Sequence, residues 1–348
     1  MAKAAFPALT PSQLRDRIAR LPRVRLAHLP TPLDEAPRLA AALGGPRIFI
    51  KRDDLTGLAF GGNKTRILEF TIADALDQGA DMIIAAAFVQ SNHCRQAAAA
   101  AAKLGLPILL VLGVLDESEV QGPEQGNLLL DRLLGVEIRF VRCRDLADVA
   151  QQAETIADEY RAKGRNPRVV TLGTRPAARA AVAYANATAE LAEQLEALPV
   201  RPTHLYVCSC GGTQAGLVLG ARALGLDARV VSFTPIARTE REAHVAKIAT
   251  EAARLLDLDL VFRPEDVENH DDQLGPGYGK LTPACRDAIR LVASTEGILL
   301  DPSYTGKAMA GLVDHVRRGL LGPSDTVIFV HTGGTPALFA YHQALLAP

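Results

Sequence analysis

One lysine lies on a glycine-built turn, in the sequence GGNKTR at residues 61–66. The turn follows an extended apolar run at 47–51 and precedes a helical pattern at 67–73. Because backbone amides are free at such a strand-to-helix junction, Lys64 suits two chemistries: a point charge that binds phosphate, or an amine that forms a Schiff base. A Walker loop needs a glycine directly before its lysine, and this chain has Asn63 there. For this motif alone, a surface turn with a solvated lysine is the alternative.

Three further segments place glycines or helix-capping residues after apolar runs: QSNHCRQ at 90–96, CGGTQAG at 210–216 and TGGT at 332–335. In α/β folds, ligands bind at the carboxyl ends of strands, where helices begin. Ser91 and Asn92 are favourable N-cap types, and a helix start offers N–H groups to a carboxylate. The glycines of the second segment let a phosphate approach the backbone. For each segment alone, a turn that only redirects the chain is the alternative.

Taken together with Lys64, these segments favour an anionic cofactor and an anionic substrate in one cleft. Pyridoxal 5′-phosphate needs both a Schiff-base lysine and a glycine-rich phosphate cradle. A dinucleotide is less favoured, because no Gly-x-Gly-x-x-Gly motif follows a strand. We therefore expect pyridoxal phosphate as the cofactor.

Helical patterns alternate along the chain with short, continuously apolar strands. The predicted strands are 81–85, 107–112, 136–141, 168–172, 203–208, 228–233 and 326–330, and the predicted helices include an alanine helix around 97–102, 127–134, 146–163, 177–195 and 213–224. Continuous apolar strands between helices are typical of parallel sheets covered on both faces. The absence of a linker predicts two packed domains with the chain crossing between them.

Composition narrows the class of protein. The 348 residues are long enough for two domains, and 48% hydrophobic with 22% charged residues is ordinary for a globular protein. A net charge of −1 without basic blocks argues against nucleic acid or an anionic membrane as a partner. No apolar run reaches the roughly 20 residues that span a bilayer. The N-terminal residues 1–21 lack the apolar core of a signal peptide.

The five cysteines are an odd number, which is not a disulfide framework and predicts a cytoplasmic protein. Cys208 and Cys210 lack a second pair with ligand spacing, so we expect no metal site.

Seven segments resemble the D-cysteine desulfhydrase and 1-aminocyclopropane-1-carboxylate (ACC) deaminase family. They are LPTPL at 29–33, KRDDLTGLAFGGNKTR at 51–66, QSNHCRQ at 90–96, CGGTQAGL at 210–217, GPGYG at 275–279, DPSYTGKA at 301–308 and HTGGTPALFAY at 331–341. The resemblance implies an α/β, tryptophan synthase β-like (fold type II) architecture with two open parallel-sheet domains. It also implies pyridoxal phosphate, a small amino-acid substrate and a homodimer.

The resemblance further implies a division of the chain and a role for each site residue. Residues 1–64 plus 176–348 would form the larger cofactor domain, and 65–175 a smaller inserted domain. The implied catalytic residues are Lys64, as the Schiff-base lysine, Ser91, Tyr278 and Tyr304. The implied cofactor contacts are Lys64, Asn92, Cys210, Gly211, Gly212, Thr213, Thr305, facing the pyridine nitrogen, and Thr332, beside the ring. The implied substrate contacts are Ser91, near the α-carbon, with Asn92 and His93 at the carboxylate.

Thr305 helps to choose a branch of the family. The ACC deaminase pattern has a glutamate there, which keeps the pyridine nitrogen protonated for the demanding opening of a cyclopropane. A neutral threonine fits an easier β-elimination, most simply of D-cysteine to sulfide, pyruvate and ammonia. L-cysteate sulfo-lyase, ACC deaminase and a β-replacement synthase stay open as alternatives, with a non-enzymatic binding protein as a fourth.

The chain also departs from the family pattern. A Gly-Gly-Ser stretch is replaced by LGTRP at 172–176, cysteines stand at 208 and 210 where serines are usual, and Phe88 precedes the second motif. These departures leave the cofactor unaffected and bear on the substrate, since Arg175 would add a charge that accepts a sulfonate or a second carboxylate.

Overall fold

A computed structural model describes residues 7–121, 123–170 and 174–346, with only the backbone described at 174–176. Ten strands lie in this part of the chain: β1 (Leu33–Glu35), β2 (Arg47–Lys51), β3 (Met82–Phe88), β4 (Ile108–Val114), β5 (Glu137–Arg142), β6 (Pro167–Val170), β7 (His204–Cys208), β8 (Arg229–Phe233), β9 (Glu268–His270) and β10 (Thr326–Val330). They form a six-stranded sheet of order β1-β2-β10-β7-β8-β9 and a four-stranded sheet of order β5-β4-β3-β6.

Helices cover both sheets. Those described are α1 (Pro11–Ile18), α2 (Pro37–Leu43), α3 (Asn63–Asp77), α4 (Asn92–Leu104), α5 (Gly126–Leu133), α6 (Leu146–Arg161), α7 (Thr174–Ala197), α8 (Gly212–Ala223), α9 (Arg241–Leu255), α10 (Pro283–Glu296), α11 (Thr305–Arg317), α12 (Ala337–Ala340) and α13 (His342–Leu346). None of the helices in the described ranges is long and apolar enough to cross a membrane.

The alternation of apolar strands and helices predicted both sheets. Strand β10 has the predicted bounds 326–330, and most other predicted strands and helices are displaced by one to three residues. All described strand pairs are parallel except β1 with β2, so the six-stranded sheet is not purely parallel. The predicted strand 168–172 is described as far as Val170, and residues 171 and 172 lie outside the described residues.

Two predicted boundaries near the chemistry need correction. Helix α3 begins at Asn63, so Lys64 lies in the first helical turn rather than on the turn before it. Strand β3 continues to Phe88, three residues beyond the predicted end, because its whole length is buried. The extension places Ser91 directly between the strand and α4, as the N-cap of that helix.

The two sheets occupy separate stretches of chain. All four strands of the smaller sheet fall between residues 82 and 170, and the strands of the larger sheet lie on either side. The predicted boundaries at 64/65 and 175/176 remain a prediction.

A row of glycines brings α8 against α7. Gly212, Gly216 and Gly220 are four residues apart and lie on one helix face. A Cβ on Gly216 would lie 2.3 Å from the carbonyl oxygen of Ala181, and one on Gly220 would lie 2.5 Å from the Cβ of Thr188. This close contact fixes the start of α8 and the loop before it.

A buried cluster of charges anchors the start of α3 to the larger sheet. Arg66, which is 1% exposed, donates to both oxygens of Asp53 and of Glu190 at 2.8–3.0 Å. Lys51, the last residue of β2, donates to Glu190 at 2.6 Å. Tyr184 on α7 donates to Asp53 at 2.7 Å. Two cations, Lys51 and Arg66, thus bind two carboxylates, Asp53 and Glu190. Because Arg66 is two residues after Lys64, these ion pairs fix the position of the helix that carries Lys64.

Candidate active site

Strands β2, β10 and β7 lie side by side and end at the same edge of the larger sheet. Val330 pairs with Lys51 in the register of β10 and β2. After these strands come three segments: residues 61–66, called the lysine turn below, the segment that starts at Thr332, and the segment that starts at Cys210. Because the strands are parallel, three motifs far apart in sequence meet at one edge.

A cavity of about 130 Å³ lies at this edge and reaches the smaller sheet. Since one water molecule needs roughly 10–15 Å³ of such volume, the cavity has room for a small molecule rather than for a single water. Eleven of the twelve predicted site residues line it: Lys64, Ser91, Asn92, His93, Cys210, Gly211, Gly212, Thr213, Tyr278, Tyr304 and Thr332. Thr305 does not.

The lysine turn is hydrogen-bonded to its neighbours on three sides. The N–H of Asn63 donates to the carbonyl of Thr332 at 2.9 Å, and its Nδ2 donates to Thr213 Oγ1 at 3.1 Å. On α4, Gln96 Oε1 accepts from the N–H of Thr65 at 2.7 Å. Lys64 therefore projects from a helix start that is tied to the other cavity-lining loops.

Burial changes the protonation of Lys64. Its amine is only partly exposed, and desolvation lowers its pKa to about 8, against a smaller opposing effect of the nearby Cys210 and Cys208. At pH 7 roughly one amine in ten is therefore neutral, far more than for an ordinary lysine, and the neutral form is the nucleophile.

The loop before α8 presents backbone N–H groups to the cavity. The hydroxyl of Ser209 accepts from the N–H of Gly211 and of Gln214, both at 3.3 Å. No acceptor is found within the described residues for the N–H groups of Cys210, Gly212 and Thr213. A Cβ on Gly211 would meet no atom within 4 Å, so this side of the loop is open. Free N–H groups at a helix N-terminus bind anions.

The start of α4 forms a second wall. Ser91 Oγ accepts from the N–H groups of His93 and Cys94, both at 3.1 Å, and so caps the helix. The Oδ1 atom of Asn92 accepts from Arg95 and Asn127, while its Nδ2 has no acceptor among the described residues. The cavity-facing wall here offers hydrogen-bond donors.

The ring of His93 is hydrogen-bonded to strand β6. Its Nε2 lies 2.7 Å from the carbonyl of Val170, which can only accept, so Nε2 carries the proton. Burial lowers the pKa of His93 to about 4, and the ring is neutral with Nδ1 as an acceptor. Nδ1 has no partner within the described chain. This geometry disfavours a contact between the side chain and a substrate carboxylate, which also only accepts.

Two tyrosines close the cavity from the side of β9 and α11. Their hydroxyl oxygens, on Tyr278 and Tyr304, are 2.8 Å apart. The ring of Tyr278 packs on Phe88, with centroids 5.0 Å apart. Burial raises the pKa of both hydroxyls above that of ordinary tyrosine, so both are protonated at neutral pH. Because one hydroxyl donates to the other, one hydrogen of the pair stays available to a ligand.

Thr305 is directed at Asp301 instead of the cavity. Its hydroxyl donates to Asp301 Oδ1 at 2.7 Å and accepts from the N–H of Asp301 at 2.8 Å. Both hydrogen-bonding roles of this hydroxyl are thus used at the start of α11. Asp301 also accepts from the N–H groups of Ser303 and Tyr304, so this carboxylate positions Tyr304.

Several cavity-lining residues were not predicted from the sequence. Asn63 joins the lysine turn to the loop before α8, and Arg238 and His244 line the cavity from the segment after β8 and from α9. Arg238 follows no recognisable motif, whereas Asn63 stood inside the GGNK motif and could have been included. Arg175, the residue expected to add a charge, lies outside the described side chains.

Comparison with known proteins gives relatives over almost the whole chain. Residues 24–333 match a family described as "Pyridoxal-phosphate dependent enzyme". D-cysteine desulfhydrase of Salmonella newport (strain SL254) is 41% identical over 329 residues, which cover 93% of this chain and 98% of that protein. The enzyme of the same name from Salmonella typhimurium (strain LT2) has the same identity and coverage.

Solved structures of similar fold also cover almost the whole chain. The crystal structure of an ACC deaminase homologue superimposes with a TM-score of 0.86 at 38% identity, covering 96% of this chain and 98% of that one. A fungal L-serine ammonia-lyase from Rhizomucor miehei gives a TM-score of 0.64 at 18% identity, over 92% of this chain and 98% of that one, and so shares the fold.

The lowered pKa of Lys64 predicts its reactivity. In ligand-free protein, labelling of this amine by acetic anhydride should rise with pH to a midpoint near 8, because only the neutral amine reacts. Peptide mass spectrometry over pH 6–11 measures this, with the exposed amine of Lys103 as a reference in the same digest. A midpoint near 10.4, the ordinary value for lysine, would contradict the effect of burial.

Proposed function

Because the chain belongs to the pyridoxal-phosphate-dependent enzyme family, we propose that it is a lyase that eliminates the β-substituent of a small amino acid, with D-cysteine as the substrate. Its α/β fold is the expected fold type II, tryptophan synthase β-like architecture. One observation carries the proposal: a single cavity is lined by Lys64, by the loop before α8, whose N–H groups lack acceptors among the described residues, and by the start of α4, which offers hydrogen-bond donors.

The residues present fit pyridoxal phosphate. Its phosphate suits the N–H groups of Cys210, Gly212 and Thr213, which lack acceptors within the described residues and lie at the start of α8. Its aldehyde suits Lys64, whose amine is nucleophilic near neutral pH. We propose that these residues, with Thr332 beside the ring, hold the cofactor. Thr305 would act through Asp301, unless its hydroxyl turns toward the pyridine nitrogen when the cofactor binds.

When bound, the cofactor supplies an electron sink that makes the α-proton of an amino acid acidic and allows a β-substituent to leave. The chain supplies the proton carriers. We propose that Lys64 and Ser91, which line the same cavity, accept and return the α-proton. The paired hydroxyls of Tyr278 and Tyr304, both protonated, would hydrogen-bond the departing sulfur.

The residues at the start of α4 would orient the substrate. We propose that Asn92 binds the substrate carboxylate through its unpaired Nδ2 and its backbone N–H. His93, with Nδ1 as a neutral acceptor, would meet a donor on the substrate instead of the carboxylate. A carboxylate held at the N-terminus of α4 is also stabilised by the helix dipole.

One observation and one expectation from the family resemblance favour D-cysteine over the alternatives. The two curated Salmonella relatives described above, each matched over 98% of its length, are D-cysteine desulfhydrases. The resemblance to the family also places the neutral Thr305 where the ACC deaminase pattern has a glutamate, although the Thr305 hydroxyl bonds Asp301 and does not line the cavity, so it would act through Asp301. We also propose that the protein is a cytoplasmic homodimer. Leu133 on α5 and Phe339 on α12, two helices in contact, are 74% and 64% exposed, and a second copy would cover them.

Product analysis tests this function. Purified protein with pyridoxal phosphate should release equal amounts of pyruvate and sulfide from D-cysteine, and Lys64→Ala should abolish this release. The panel includes L-cysteine, D- and L-cysteate, β-chloro-D-alanine, D-serine and ACC, scored for keto acid with and without added thiol.

The panel separates the alternatives. Release of 2-oxobutyrate from ACC would assign the deaminase branch, and sulfite from L-cysteate the sulfo-lyase branch. Loss of pyruvate when thiol is added, with a thioether formed instead, would assign a β-replacement synthase. Spectral change of the cofactor without any product would leave a binding protein.

Ser91 caps α4, and an experiment must separate this structural role from the proposed catalytic role. Ser91→Ala should slow turnover by roughly 10²–10⁴ if the hydroxyl moves a proton. The same change removes an N-cap, which costs about 1 kcal/mol of stability. Thr10→Ala is the matched control, since Thr10 caps α1 away from the cavity.

Turnover and urea unfolding are to be measured on both variants. The proposal expects similar losses of stability and a large loss of turnover in Ser91→Ala alone. Near-normal turnover of Ser91→Ala would reduce Ser91 to a helix cap and leave Lys64 as the proton carrier.

A further inference from the structure

Arg95 joins the lysine turn to the start of α4. It lies on α4 and is completely buried. Its Nη2 donates to the carbonyl of Gly61 at 2.7 Å. Its Nη1 donates to Asn127 Oδ1 at 2.8 Å and to Asn92 Oδ1 at 3.2 Å. The guanidinium does not line the cavity, yet it touches the backbone three residues before Lys64 and the side chain of a cavity-lining residue.

A guanidinium can only donate hydrogen bonds, so it determines the orientation of the amides around it. Because Nη1 donates to Asn127, the oxygen of that amide must face Arg95. The Nδ2 of Asn127 then points the other way and donates to the carbonyl of Gln90 and to Asn92 Oδ1, both at 3.0 Å. The oxygen of Asn92 thus receives two donors, one from Arg95 and one from Asn127.

The consequence falls on the cavity side of Asn92. An asparagine amide has an oxygen that accepts and a nitrogen that donates, and a reversed amide would place an acceptor where the donor was. With its oxygen held by two donors, Asn92 has its Nδ2 left for the cavity. No acceptor for this nitrogen is found in the described part of the chain, although Asn92 is only 9% exposed. A donor without an acceptor thus lies on a residue that lines the cavity, where a ligand can satisfy it.

We propose that Arg95 is a positioning residue that keeps the cavity side of Asn92 a hydrogen-bond donor, and so selects ligands that carry a carboxylate. The inference rests on the proposed function in one respect, the assignment of the substrate carboxylate to Asn92. It adds a residue outside the cavity that determines which end of that amide the substrate meets.

Arg95 stays charged in spite of its burial. Asp131 on α5 is its acidic neighbour, is fully buried, and has no hydrogen-bond partner for either oxygen among the described residues. Burial raises the pKa of Asp131 to about 8, and burial lowers the pKa of Arg95 to about 10. Arg95 is therefore protonated at neutral pH, as its five donors require.

Binding of two matched ligands to the holoprotein tests the inference. D-alanine has the carboxylate and lacks a leaving group, and ethylamine is the same molecule without the carboxylate. Dissociation constants come from the absorbance of the bound cofactor. In Arg95→Met, the constant for D-alanine should rise about 10- to 100-fold, the value of one hydrogen bond to a charged group. The constant for ethylamine should stay within about twofold.

Two further variants keep the test decisive. Arg95→Lys retains a donor-only side chain and should recover part of the preference for D-alanine. Arg95→Met combined with Asp131→Asn removes the lone buried carboxylate, in case the single variant does not fold. Arg222→Lys, in an ion pair with Asp266 at the far end of α8, controls for the loss of an arginine and should bind both ligands normally.

The outcomes separate this inference from the proposed function. Equal weakening of D-alanine and ethylamine in Arg95→Met would overturn it and make Arg95 a purely structural residue. So would an unchanged D-alanine constant, or a wild-type protein without preference for D-alanine. Failure of wild-type protein to release pyruvate from D-cysteine, with the Arg95-dependent preference intact, would instead refute the proposed reaction.

Discussion

The backbone of the lysine turn lies directly against the backbone of the loop after β10, and neither has room for a side chain there. A Cβ on Gly333 would lie 2.7 Å from the Cα of Gly62, and a Cβ on Gly62 would lie 2.8 Å from Gln96 Nε2. The φ values are positive at both glycines, 121° at Gly62 and 94° at Gly333, and other residues rarely adopt such values. This contact brings the N–H of Asn63 to the carbonyl of Thr332 and places Lys64 at a helix start inside the cavity. The order of strands β2, β10 and β7 makes the contact possible.

Burial weakens the charge of several side chains that line the cavity. Desolvation lowers the pKa of Lys64 and His93 and raises that of Tyr278 and Cys210, so each is shifted toward its uncharged form. Positive potential comes from Arg238 in the lining and from the N-termini of α4 and α8, which offer N–H groups without a formal charge. An anionic cofactor and a carboxylate substrate would therefore each meet a helix start, while the amine between them stays free to react. The arrangement separates binding of charge from transfer of protons.

The sequence predicted the fold well because the strands carry their own signal. Buried parallel strands are continuously apolar, and the glycine motifs stand where they end, so the meeting of Lys64, Ser91 and Cys210 could be expected. Strands β1 and β9 have three residues each, too few to show a pattern. Hydrogen bonds between residues far apart in sequence could not be predicted either. No residue near Arg95 in the sequence indicates its hydrogen bond to Gly61, 34 residues away. Gly212, assigned to phosphate binding, also packs against α7, a role that no motif reveals.

The account depends most on Lys64 as the residue that carries the cofactor. Among the described residues, the two fully buried lysines already have partners, Lys51 at Glu190 and Lys307 at the carbonyls of Leu274 and Gly277. The direct measurement is reduction of the yellow holoprotein with borohydride, followed by digestion and mass spectrometry of the peptides. The account predicts the pyridoxyl modification on the peptide that contains Lys64, and the loss of that modification in Lys64→Ala. Modification of Lys51, Lys307 or any other lysine in the wild-type protein would contradict it.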